Sequence, residues 1–365
     1  MSSPIHAPDY IRAIAPYQPG KPISELAREM GIPEAGIVKL ASNENPLGMS
    51  TRVRDALTIA LSEVPRYPDG NGYALKSALS RRLRLDMEQI VLGNGSNDVL
   101  DMAARAFLAP GLSTVYSRYA FAIYPLATQT VGATGIEVPA VDYGHDLRAM
   151  ARAIRPDTRL VFIANPNNPT GTFVPGAEIE AFLDTVPGDV LVVLDEAYTE
   201  YLSSEQRYDA LAWLRRFPNL LISRTFSKAY GLAGLRVGYG LGHPAVIDLM
   251  NRVRQPFNVS NLGLVAAEAA LADEEFLAKS AELNRRGMQQ LEEGFQALDL
   301  DWIPSAGNFV TVRVGNASAV NARLLRQGVI VRPIAGYGMP EWLRVSIGLP
   351  EENTRFLDAL KVALD

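Results

Sequence analysis

Through the middle of the chain, apolar residues fall into runs of four or five separated by stretches with helical spacing. The clearest runs are Leu160–Ala164, Val190–Leu194 and Leu220–Ser223, with shorter ones at Ile90–Leu92, Ser113–Tyr116 and Ile136–Val138. Between them, Val99–Leu108, Phe121–Val131, Leu147–Ile154, Ile179–Thr185 and Ala210–Phe217 repeat apolar side chains every three or four positions. Short buried runs alternating with helices predict βα units, and so a mainly parallel sheet with helices on both faces. In such sheets ligands bind at the carboxyl ends of the strands, so the residues just past each run carry the functional information.

Either side of this α/β region the pattern changes. Residues 1–50 are rich in proline and turn formers, with a short helix predicted over Ile23–Met30, stopped by Gly31, and a strand over Ile37–Leu40. Residues 51–62 read as a helix with Val53, Leu57 and Leu61 on one face, and Tyr73–Leu83 as another. Past residue 260 come helices at Leu262–Leu271 and Glu275–Leu300, then strands at Phe309–Arg313, Val329–Arg332 and Leu343–Ile347. Helices are expected at Ser318–Gln327 and Glu351–Leu364. The expected organisation is an N-terminal segment, 1–50, joining a small α+β domain at 261–365, with a large α/β domain at 51–260 between them.

With 365 residues the chain is long enough for two cores. A hydrophobic fraction of 48%, a charged fraction of 21% and a net charge of −5 are ordinary for a globular protein and give no basic footprint for nucleic acid. No apolar run approaches the roughly 18 residues that span a membrane. Met1–His6 lacks a cationic start and apolar core, so no secretory signal is expected. The absence of cysteine removes disulfides, thiolate metal sites and thiol nucleophiles. His6, His145 and His243 are scattered without metal-ligand spacing, and a cytoplasmic, metal-independent protein is the expectation.

Three successive strands end in polar groups. Leu160–Ala164 runs into Asn165-Pro166-Asn167-Asn168-Pro169-Thr170-Gly171, Val190–Leu194 into Asp195-Glu196-Ala197-Tyr198, and Leu220–Ser223 into Thr225-Phe226-Ser227-Lys228 with Arg236 beyond. A fourth, Ile90–Leu92, leads through Gly93-Asn94-Gly95 into a helix whose first turn carries Ser96, Asn97 and Asp98. That is the arrangement in which free N–H groups of a first helical turn meet an anion. The spacing is neither the dinucleotide fingerprint nor a Walker A loop, which points to a smaller phosphorylated group. Singly, each feature has a plain reading: Lys228 as a loop lysine, Asp195 as a strand-end cap, Tyr198 as a packed tyrosine, the Pro-Asn-Asn-Pro stretch as a turn. Together they match the demands of pyridoxal phosphate. That cofactor needs a lysine to hold it covalently, a carboxylate at its ring nitrogen, donors at its ring oxygen and an anion cradle. Lys228, Asp195, Asn168 with Tyr198, and the Gly95-Ser96-Asn97 turn with Thr225 and Arg236 fill those places. Phe121 offers an aromatic face to the ring.

Over nearly its whole length the chain resembles the fold-type I pyridoxal-phosphate aminotransferases. The general marks are Asn167-Asn168-Pro169-Thr170-Gly171, Asp195-Glu196-Ala197-Tyr198 and Ser227-Lys228 with Arg236. Marks of the histidinol-phosphate branch are Pro16-Tyr17, Ala41–Pro46, Arg66–Asp69, Gly93–Ser96, Val331-Arg332-Pro333 and Leu343–Gly348. The resemblance implies that Lys228 carries pyridoxal 5'-phosphate and later moves the proton at the substrate Cα. Asp195 would pair with the ring nitrogen, Asn168 and Tyr198 with the ring hydroxyl. Ser96, Asn97, Thr225, Ser227 and Arg236 would hold the phosphate, with Tyr67 arriving from the other subunit of a homodimer. It assigns Arg344 to the amino-acid carboxylate and places Tyr17, Asn43 and Arg332 around the substrate, with Arg332 at its phosphate. Phe121 departs from relatives that carry tyrosine there; stacking survives, a hydroxyl contact does not. The implied reaction moves an amino group from glutamate to imidazole-acetol phosphate, giving histidinol phosphate and 2-oxoglutarate. An aromatic aminotransferase is the nearest alternative, then a decarboxylase of similar fold, then a non-catalytic regulator that keeps the fold.

Overall fold

In chain order the strands are β1 (Val38–Lys39), β2 (Ile90–Gly93), β3 (Ser113–Ser117), β4 (Thr134–Val138), β5 (Thr158–Ala164), β6 (Leu191–Asp195), β7 (Leu220–Thr225), β8 (Gly238–Gly242), β9 (Trp302–Ile303), β10 (Phe309–Arg313), β11 (Val329–Ile330), β12 (Arg332–Ile334) and β13 (Met339–Ser346). They belong to a computed structural model that describes residues 6–17 and 20–365. Met1–Ile5, read above for the lack of a signal, lie outside the described residues.

Seven strands form the main sheet in the order β2-β8-β7-β6-β5-β3-β4. β3 to β7 run parallel, whereas β8 is antiparallel to both β7 and β2. Alternate residues of each central strand enter different cores. Val161, Ile163, Val192, Leu194, Leu220 and Ile222 pack with Leu75, Leu79, Ile179 and Phe182 on one face. Leu160, Phe162, Leu191, Val193 and Leu221 pack with Val99, Leu100, Tyr124, Ile247 and Met250 on the other. This two-sided burial is why the strands read as unbroken apolar runs.

The strand β8 was not expected, because Gly238, Gly240 and Gly242 make it look like a loop. Its glycines answer to packing. A Cβ on Gly238 would stand 2.4 Å from the Ser96 backbone nitrogen, and one on Gly240 2.9 Å from a Val99 methyl. The helix Ser96–Phe107 lies directly on this bare ribbon.

Beyond the main sheet, a four-stranded antiparallel sheet has the order β12-β13-β10-β9, and β1 pairs in parallel with β11. With the helices Glu274–Ala297, Ala317–Arg326 and Pro350–Leu364 they enclose a second core around Phe295, Val310, Leu324, Leu343 and Phe356. The N-terminal segment is therefore tied to the small sheet through β1. The single strand expected at Val329–Arg332 is two, breaking at Val331 so that β11 serves β1 and β12 serves β13. The helix Asn261–Leu271 buries Leu264, Ala266, Ala267, Ala270 and Leu271 in the core of the large sheet. Leu61, expected on the buried face of its helix, falls in a 3-10 turn and is 59% exposed. Among the described residues no helix is long and apolar enough to cross a membrane.

Candidate active site

The strand register brings the predicted groups to one edge. Ala164 of β5 lies level with Asp195 of β6, and Asp195 with Ser223 of β7. Thr225 at the end of β7 faces Gly238 of β8, which in turn faces Gly93 of β2. Parallel pairing of β5, β6 and β7, carried on to β2 through the antiparallel β8, thus brings the amide loop, the carboxylate, the lysine loop and the glycine turn to one edge. They surround a cavity of about 190 Å³ whose wall includes Ser96, Asn97, Phe121, Asn168, Asp195 and Tyr198. Thr225, Ser227, Lys228 and Arg236 complete that side, and Tyr17, Asn43, Arg332 and Arg344 line the side nearer the small sheet.

Lys228 ends in this cavity with Nζ 3.4 Å from the Ser42 carbonyl oxygen, to which it donates, and 5.8 Å from the Tyr198 ring centre. Burial, reinforced by the cationic Arg344 and Arg236 and only partly offset by Glu44 and Asp195, lowers its pKa from 10.5 to about 8. A lysine near neutrality has a free amine available as nucleophile and base. Asp195 is 5% exposed, and burial raises its carboxyl from 3.8 to about 6 against the pull of the Tyr124 hydrogen bond and the nearby Ala197 N–H. The Tyr124 hydroxyl donates to Oδ2 at 2.9 Å. The other oxygen, Oδ1, is buried and has no partner. Glu196, next in sequence, points away and pairs with Arg224 at 2.7 Å, so the Asp-Glu dipeptide divides into one group for the cavity and one for a buried ion pair.

The hydroxyl of Tyr198 accepts from two amides, Asn43 Nδ2 at 3.0 Å and Asn168 Nδ2 at 3.2 Å. With both donors fixed on the oxygen, the phenol's own proton is left for the cavity, and burial pushes its pKa up to about 12. Asn168 in turn accepts from Arg344 Nη1 at 2.6 Å, while Arg344 Nη2 donates to the Ala41 carbonyl at 2.9 Å. Asn43 reaches this position from a left-handed backbone, φ 54°, held by Ser346 and by Asn308 Nδ2 on its carbonyl. The start of the loop Ala41–Gly48, Ala41 to Asn43, thus forms part of one wall of the site.

The anion cradle takes shape at the start of the helix Ser96–Phe107. Gly95, its cap, has φ 78°, and a Cβ there would lie 2.4 Å from Arg236 Nη2. Glycine lets the guanidinium lie against the turn, beside the free N–H groups of the first helical turn. Arg236 Nη1 donates to Ser227 Oγ at 3.2 Å, and the Ser227 N–H to Thr225 Oγ1 at 3.1 Å. Asp98, by contrast, accepts from the Asn94 N–H and Asn258 Nδ2, holding the turn rather than facing the cavity. Tyr67 lies elsewhere, 84% exposed and stacked on Phe257 with ring centres 4.9 Å apart.

Sequence reasoning missed Tyr124, Ser346, Asn308 and the Ser42 carbonyl. Tyr124 carried one signal, its position a helical turn after Phe121, whereas the other three depend on chain reversals that bring in distant segments. The cavity's contents fit a flat, phosphorylated aromatic ligand with a cationic ring nitrogen. Asp195 Oδ1 is buried without a partner, the glycine turn with Arg236 offers a guanidinium and backbone N–H groups to an anion, and Phe121 on the wall supplies a ring.

A half-buried amine of lowered pKa sharing one cavity with a buried carboxylate at the carboxyl edge of this sheet, with a second smaller sheet closing the cavity, defines the fold-type I transferase class. The family model described as aminotransferase class I and II matches residues 35–360, and the chain belongs to that family. The Histidinol-phosphate aminotransferase 1 of Thiobacillus denitrificans is 68% identical over 97% of this chain and 92% of its own length. The Dechloromonas aromatica protein of the same name is 62% identical, with both chains covered in full. The crystal structure of histidinol-phosphate aminotransferase from Sinorhizobium meliloti, in complex with pyridoxal-5'-phosphate, superposes with a TM-score of 0.91. Its identity to this chain is 29%, covering 100% of this chain and 98% of that one.

Proposed function

We propose that the chain moves an amino group between glutamate/2-oxoglutarate and imidazole-acetol phosphate/L-histidinol phosphate, in L-histidine biosynthesis, with pyridoxal 5'-phosphate as cofactor. The observation that carries the substrate choice is a pair of arginines. Arg332 and Arg344 are directly opposite one another on β12 and β13, and both reach the wall that holds Lys228. One substrate of this reaction has two carboxylates, the other a phosphate and none. Adjacent guanidiniums serve both, since each can bind a carboxylate or a phosphate through two parallel hydrogen bonds. Phenylalanine, with one carboxylate and no phosphate, occupies only one of them, so the second guanidinium favours histidinol phosphate over it.

When bound, the pyridoxal group supplies the carbonyl for amine exchange and a ring that draws negative charge away from the substrate Cα. The rest falls to the chain. Lys228 Nζ would hold the cofactor and, once released, would move the proton between the substrate Cα and the cofactor carbon. Asp195 Oδ1 would accept from the protonated ring nitrogen. Asn168 and Tyr198 would bind the ring oxygen, and Phe121 would offer its face to the ring. Gly95, Ser96, Asn97, Thr225, Ser227 and Arg236 would hold the phosphate. Arg344 takes the amino-acid carboxylate and Arg332 the substrate phosphate, with Tyr17, 5.7 Å from the Arg332 guanidinium, and Asn43 beside them. The protein works in the cytoplasm as a homodimer in which Tyr67 completes the neighbouring site. Its N-terminal segment, 1–50, joins the small C-terminal domain through β1, beside a large cofactor domain that on packing grounds runs to the end of the helix Asn261–Leu271.

The test is a comparison of kcat/KM for L-histidinol phosphate and L-phenylalanine, each with 2-oxoglutarate. At least a hundredfold preference for histidinol phosphate is expected, about the discrimination that one lost charged contact produces. A preference for phenylalanine rejects the substrate and leaves the family assignment intact.

A further inference from the structure

We infer that Tyr124 is a positioning residue for the cofactor: it fixes which oxygen of Asp195 faces the ring nitrogen and holds that carboxyl in its ionised form. The inference rests on the proposed reading of the cavity as the cofactor site and assigns a role to a side chain outside that reading.

Tyr124 stands in the first turn of the helix Ile123–Thr130 and is fully buried. Its ring lies parallel to Phe162, 2° from coplanar with centres 4.5 Å apart, and Phe121 meets its edge at 5.9 Å. The backbone carbonyl of Tyr124 accepts from Thr128 Oγ1 at 2.7 Å. The ring therefore has nowhere to swing, and its hydroxyl has one direction in which to donate, toward Asp195 Oδ2 at 2.9 Å. Burial and the adjacent carboxylate hold the phenol well above its ordinary pKa, so it remains a donor at every working pH.

With Oδ2 committed to Tyr124, the oxygen left for a ligand is the unpartnered Oδ1. A carboxyl that accepts at both oxygens binds a protonated ring nitrogen; a neutral carboxyl has to give up one of those positions to its own proton. The groups acting on Asp195 are few. Tyr124, the Ala197 N–H and the Lys228 ammonium favour the ionised form, while burial and the neighbouring Glu196 oppose it. Among the favourable contacts, Tyr124 has the largest effect. Removing its hydroxyl leaves burial to shift the carboxyl toward the neutral state while the aromatic packing stays in place.

Cofactor-free protein titrated with pyridoxal 5'-phosphate across pH 5 to 9, followed by tryptophan fluorescence, tests this. In Tyr124→Phe the pH at which affinity is lost on the acid side moves up by about one unit. The dissociation constant then rises about tenfold near pH 6 and changes less than about twofold near pH 8.5. Tyr124→His, which keeps a donor, holds the midpoint within about half a unit of wild type. A midpoint unmoved in folded Tyr124→Phe overturns the inference, as does a Tyr124→His protein that behaves like Tyr124→Phe. Should Tyr124→Phe fail to fold, 3-fluorotyrosine placed at position 124, a near-isosteric and stronger donor, takes its place. The midpoint then moves down, and one that stays fixed overturns the inference. Wild-type protein that binds no cofactor at any pH rejects the reading of the cavity itself, an outcome separate from either variant's.

Discussion

Lys228 and Asp195 are each held in a charge state their surroundings disfavour. Burial lowers Lys228 from 10.5 to about 8 and raises Asp195 from 3.8 to about 6. For Asp195, raised on folding, the stabilising contribution is complete below 3.8 and lost as the pH climbs through 6. For Lys228, lowered on folding, it is complete above 10.5 and lost as the pH falls through 8. Between pH 6 and 8 the cofactor-free protein therefore bears both penalties, each on the order of 3 kcal/mol from these shifts. A bound cation at Asp195 and a covalent bond at Lys228 remove them. Cofactor-free Asp195→Asn is accordingly expected to melt roughly 2–5 °C above wild type at pH 7.5, with the difference gone by pH 4. Melting curves by differential scanning fluorimetry at the two pH values check this, and a lower melting point at pH 7.5 contradicts it. None of this could be read from residue types alone. A lysine in a glycine-rich loop and an aspartate at a strand end look the same in sequence whether they face water or a closed cavity.

The parallel strands β5, β6 and β7 could be read from sequence because burial on both faces leaves unbroken apolar runs. The antiparallel β8 could not, since its glycines carry no pattern; they matter for what they admit. The close approach of Gly238 to the Ser96 N–H seats the anion-binding turn against the sheet. Gly238→Ala puts a methyl 2.4 Å from that nitrogen and 2.5 Å from the Gly95 carbonyl carbon, both backbone atoms that cannot rotate aside. The helix start must shift. The expected result is a loss of about 1–3 kcal/mol in urea unfolding and a weaker cofactor titration by at least about tenfold. A variant with wild-type affinity would show that the seat of this turn does not govern the cradle. The helix Ser96–Phe107 carries Ser96, Asn97 and Asp98 in its first turn, as the sequence indicates, although its apolar periodicity starts only at Val99.

Across the whole molecule, the site is assembled from both sheets. The ring-binding groups come from the large one, whereas Asn43, Arg332 and Arg344 come from the N-terminal segment and the small sheet, tied to each other by Ser346 and Asn308. Tyr67 stands apart on an outer face with Ile59, Leu61 and Val64, all more than half exposed. An exposed apolar group of this kind marks a contact between molecules. If a second copy covers it, one chain's Tyr67 serves the other's Lys228. Co-expressing Lys228→Ala and Tyr67→Ala chains under separate tags then yields a mixed dimer with one intact site, recovering about half the wild-type activity per dimer. A mixed dimer no more active than its parents contradicts the shared site.

By itself the sequence determined the class of fold, the order of the strand ends and the chemical set they present. Burial periodicity and turn chemistry are local, and so is the spacing of Asn168, Asp195 and Lys228 after their strands. Only the tertiary structure decided which groups meet. Arg344 bridges to Asn168 and Ala41, Asn43 to Tyr198, and Tyr124 to Asp195, each across a large separation in the chain. The same folding that closes these contacts excludes water from Lys228 and Asp195, and exclusion of water is what moves their proton affinities toward neutrality.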